Sequence, residues 1–119
     1  MLVKKAICKE EREETKTERD IKRIIDVLLS SKDFNSLASC SAIGSFRRAS
    51  YMLNRIKDAL EKVDDRGLLS DTYLDIQSLK GDLKECLGFL TSVNPRKYFT
   101  MVDYSGLVNS LKDSIDLLS

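Results

Sequence analysis

The chain has 119 residues, 42% of them hydrophobic and 33% charged, with a formal net charge of +1. That length suits one domain with a modest core, and the near-neutral balance argues against a dedicated nucleic-acid binder, which carries a strongly basic face. Histidine is absent, so the usual general base and the common imidazole metal ligand are missing.

Glycine is sparse, with five residues, and proline occurs once, a mix that favours helix over sheet. No apolar run approaches the ~20 residues needed to span a bilayer. The opening MLVKKAICKEEREE lacks the apolar centre of a secretory signal, about 7–15 residues. A cytosolic protein and a mature chain stripped of its targeting segment both fit. Cys8, Cys40 and Cys86 are far apart and form no CxxC, which argues against zinc. Cys86 reads as a small buried hydrophobe. Cys8 and Cys40 are free thiols or a disulfide, according to compartment.

Residues Met1–Thr17 are charged and read as a solvated arm or helix extension. From Asp20, the stripe Ile21, Ile24, Ile25, Leu28 predicts a first helix ending at Ser30 or Ser31. Glu14, Glu18 and Lys22 are expected on its exposed side, with Glu18–Lys22 as an i,i+4 pair. The Ser-rich stretch that follows reads as a connection with a short helix after Asp33, packed over one end through Phe34, Leu37 and Ile43.

Ser45–Val63 is the clearest helix. Ala49, Met52, Leu53, Ile56, Ala59, Leu60 and Val63 form its apolar face, and Ser45 is its expected N-cap. Asp64–Asp65–Arg66–Gly67 supplies the turn, with Gly67 as the left-handed residue. Ser70 then caps a third long helix with a core stripe of Ile76, Leu79, Leu83, Cys86, Leu87 and Leu90. Gly81 and Gly88 interrupt it, a pattern expected where a neighbouring helix approaches closely. Asn94–Pro95 marks a last helix running to Ser119, with Met101, Tyr104, Val108, Leu111, Ile115 and Leu118 inward and Gly106 interrupting its middle. The expected fold is therefore all-α, an up-down-up-down four-helix bundle over residues 18–119 with a charged extension at 1–17.

No catalytic, metal-binding or cofactor-binding set emerges. The Glu-x-x-His pairs of a di-iron bundle are missing, and the glycines lack P-loop spacing. The chain reads as a nonenzyme that needs no cofactor. What remains are candidate partner-binding residues. Arg47 and Arg48 stand together at the start of the second long helix, where bidentate pairing with a partner's carboxylates is possible. Arg96, Lys97 and Tyr98 place cations beside an aromatic at the expected start of the last helix, a hot-spot composition.

The segment Arg48-Ala49-Ser50-Tyr51 resembles the Arg-Ala-Ser/Glu-Tyr-Leu stretch of PsbQ-like proteins. The order of features is also similar. An aromatic connection, KDFNSL, precedes that helix, a helix with spaced leucines follows, and paired aromatics, Tyr98–Phe99, open the last helix, which ends in Leu111, Ile115 and Leu118. Two departures stand out: Phe34 takes the place of a usual Trp, and Phe89–Leu90 that of a Leu-Asp pair. The resemblance implies a four-helix bundle acting as an extrinsic subunit of photosystem II or a related thylakoid complex. It also implies a location in the thylakoid lumen, peripheral to the membrane, with protein subunits as partners and no active site. The alternative is a cytosolic helical adaptor or small subunit of a protein or nucleoprotein assembly.

Overall fold

A computed structural model describes residues 14–39, 44–63, 67–92 and 103–119 of the chain. Among them are five helices and no strand: α1 (Lys16–Leu29), α2 (Lys32–Ala38), α3 (Gly44–Glu61), α4 (Ser70–Ser92) and α5 (Tyr104–Leu118). The fold is all-α, as the composition and periodicity imply. The expectations for residues 1–13, for Cys8, Cys40, Ile43 and Met101, and for Asp64–Arg66 and Pro95–Phe99 lie outside the described residues.

Helix α1 starts earlier than the apolar stripe suggests. Thr15 is its N-cap, and its hydroxyl accepts from the Glu18 backbone N–H at 3.1 Å. Thr15-x-x-Glu18 has the spacing of a capping box. Glu18 is only 1% exposed, which corrects its expected place on the solvent side. The reason lies in the spacing, since 18, 21, 25 and 28 fall on one helical face. Lys22 accordingly pairs with Glu14 at 2.8 Å instead of with Glu18. Ser31 then caps α2 by accepting from Phe34 N–H, and the Asn35 amide donates to the Leu29 and Ser31 carbonyls at 2.8 Å each. Those bonds fix the α1–α2 corner and turn Phe34 and Leu37 fully inward.

Helix α3 begins at Gly44, so Ser45 is inside the helix and not its cap. Its buried face is Phe46, Ala49, Leu53, Ile56 and Leu60, with Met52 and Val63 half-buried. Phe46, missing from the expected stripe, is fully buried between Phe34 and Phe89, with ring centroids 5.8 and 6.2 Å away. Such tilted and edge-on pairs add to the burial term. Gly67 has φ 87°, the left-handed conformation expected of it. Helix α4 begins at Ser70, so Ser70 is inside the helix and not its cap, and the Leu69 carbonyl accepts from the Thr72 and Tyr73 N–H groups. The α4 core is Ile76, Leu79, Leu83, Cys86 and Leu90, with Leu87 half-buried.

The last helix departs most from expectation. Asp103 is an N-cap whose carboxylate accepts from Gly106 N–H at 3.1 Å, so α5 starts at Tyr104. Gly106 belongs to this capped first turn and not to a mid-helix break. The fully buried residues are Leu107, Leu111 and Ser114, and the expected Tyr104, Val108, Ile115 and Leu118 are half-buried and pack against the same core. Ser114 is satisfied by donating to the Ser110 carbonyl at 2.8 Å.

The long helices pack in a cyclic order. Helix α3 rests on α1 and α4, and α5 rests on α4 and α1, while α2 covers α3. One hydrophobic core runs through all five. At about 1.5–3 kcal/mol for each large aliphatic or aromatic side chain taken from water, this shared core is what holds the helices together.

Candidate partner-binding surface

Helix α3 presents the candidate residues because its inward face is used up by the core. Arg47 and Arg48 are consecutive and therefore diverge by about 100° around the axis. The structure gives them different fates. Arg48 turns toward α4, where its guanidinium pairs with Glu85 and its Nε lies 3.6 Å from Asp82. Two turns on, Arg55 Nε donates to Asp75 at 2.8 Å. The Tyr51 hydroxyl and then Asp75 hold the Arg55 guanidinium above its ordinary pKa. Burial raises the Asp82 carboxyl above its ordinary value, and Arg48 works against that shift.

Arg47 is exposed and has no hydrogen bond or ion pair with any described residue. It sits in a first turn that contains no acidic residue. A cation there opposes the helix dipole, and nothing within the described chain offsets it. One turn further, Tyr51 is 62% exposed. Tyr51 therefore stands between Arg47 at i−4 and Arg55 at i+4, with Arg48 at i−3, on one side of the helix. The stretch 44–57 carries four cations (Arg47, Arg48, Arg55, Lys57) and no carboxylate.

The sequence offers Arg47 and Arg48 as equal candidates at the start of α3. The structure spends Arg48 on α4 and leaves Arg47 with Tyr51. The signal for Tyr51 was available, because position 51 falls opposite the stripe 46, 49, 53, 56, 60. Arg96, Lys97 and Tyr98 lie outside the described residues. Leu69 and Leu74, at the start of α4, are also exposed, and no spacing argument had singled them out.

Cys86 lies fully buried beneath this seam, and burial pushes its thiol up to about 12. A reactive cysteine needs the opposite environment. Among the described residues no cluster of His, Cys, Asp or Glu could hold a metal ion, and no helix is long and apolar enough to cross a membrane. No family model, curated protein or solved structure matches the chain.

Proposed function

We propose that this chain is a noncatalytic peripheral subunit that docks on a larger protein complex through the outer face of α3. The observation that carries the reading is Tyr51, an aromatic 62% exposed among Arg47, Arg48 and Arg55. Arginine and tyrosine are the residue types that dominate binding energy at interfaces. The fold behind it is an up-down-up-down four-helix bundle of α1, α3, α4 and α5. Support comes from the cyclic packing order. It also comes from the ion pairs, in which Arg48 reaches residues 82 and 85 whereas Arg55 reaches 75, as antiparallel neighbours require.

In its most concrete form, the partner is a photosynthetic membrane complex and the chain a PsbQ-like subunit in the thylakoid lumen. The Arg48–Tyr51 segment supports this version. Gentle purification of the native protein tests it, since co-purification with a thylakoid complex is the expected result and a free cytosolic monomer refutes it. A second reading, a cytosolic adaptor touching nucleic acid, draws on the four cations of residues 44–57. It requires retention on nucleic acid that falls steeply with salt, and no retention at low salt removes it.

A further inference from the structure

Two surfaces of this molecule complement each other. The first is the outer row of α3, where Tyr51 projects between Arg47 and Arg55. The second is a groove of about 370 Å³ between α1 and α5, whose apolar wall includes Ile24, Val27 and Leu117 and whose border carries Asp113 and Asp116. Val27 is 45% exposed there, a large apolar side chain left uncovered on α1. Helices α3 and α5 each rest on α1 and α4, which puts the cationic row and the acidic groove on opposite sides of the molecule.

We propose that this groove receives Tyr51 of a second copy of the chain, with Arg47 meeting Asp113 and Asp116. An aromatic ring against Val27 and Leu117 gains apolar burial. Arg23, which also lines the groove, can lie over the ring face as a cation–π partner. The charges agree in sign where Arg47, which has no ion pair with a described residue, meets Asp113 and Asp116; Arg48 and Arg55 stay on the carboxylates of α4. Because the two surfaces differ, the contact is heterologous, and copies add head to tail instead of closing on a two-fold axis. Docking on a larger complex uses the same face of α3, so the two associations exclude one another. The self-contact does not depend on the docking reading.

Sedimentation of the purified full chain tests this. At about 0.05 M salt, the average mass should rise with protein concentration, and about 0.5 M salt should suppress the rise. Arg47→Glu and Asp116→Arg should each weaken association by about tenfold, and the double variant should recover most of it, as coupled charges do. Tyr51→Ala should weaken it while circular dichroism stays unchanged. A chain that stays monomeric at low salt, or a double variant no better than the singles, overturns the proposal. The assay contains this chain alone, so its failure leaves docking on another complex standing.

Discussion

At the scale of single residues, neighbouring arginines have different physical situations. Arg48 pairs with Asp82 and Glu85, whereas Arg47 has no ion pair or hydrogen bond with a described residue. Arg48→Glu puts a third carboxylate beside two others and should lower the melting temperature. Arg47→Glu removes a cation from a helix start and should leave stability unchanged or slightly raised. Thermal melts followed by circular dichroism separate the two. Cys86 offers a second test. Its thiol is protonated in both folded and unfolded chains below its ordinary 9.0. Above that pH the unfolded chain alone loses the proton, so stability should fall as pH rises from 9.0 toward about 12. Denaturation curves of Cys86→Ala should lack that part of the alkaline loss, and identical curves for the two proteins contradict the burial of the thiol.

At the scale of elements, the glycines of α4 show where pattern alone misleads. Their seven-residue spacing suggested a neighbouring helix pressed against them. The structure corrects this, because a Cβ at Gly81 or Gly88 meets nothing within 4 Å. With no packing reason to oppose it, Gly→Ala at either position should stabilise the helix by about 0.5–1 kcal/mol. Gly106 is the contrasting case, since a Cβ there meets the Asp103 carboxylate at 2.6 Å. Gly106→Ala must displace that cap and should destabilise. Urea denaturation of the three single variants checks the sign in each case. The same cap starts α5 at Tyr104, and the Asn94–Pro95 signal lies outside the described residues.

At the scale of the whole molecule, the long helices were legible because each carries a wide apolar stripe, and four of the five α4 core positions are leucine or isoleucine. Phe46 was harder to see. It extends the α3 stripe by one step, but its burial depends on Phe34 and Phe89, which lie on other helices. Glu18 and Ser114 are polar residues on inward faces, and polarity is what a hydrophobic pattern reads as solvent. The α3 site was half legible, because helical spacing places Tyr51 outward but only tertiary contact shows that Arg48 is engaged and Arg47 is not. Since Phe46 joins three helices, Phe46→Ala should cost about 3–5 kcal/mol and broaden the unfolding transition, measurable by urea denaturation.

Docking through the outer face of α3 is the central claim, and size-exclusion chromatography of a gently prepared native extract tests it most directly. The chain should elute with a large assembly, and the combined Arg47→Glu, Tyr51→Ala variant, folded by circular dichroism, should elute as the free protein. A parent chain that elutes free, or a variant that stays with the assembly, contradicts it.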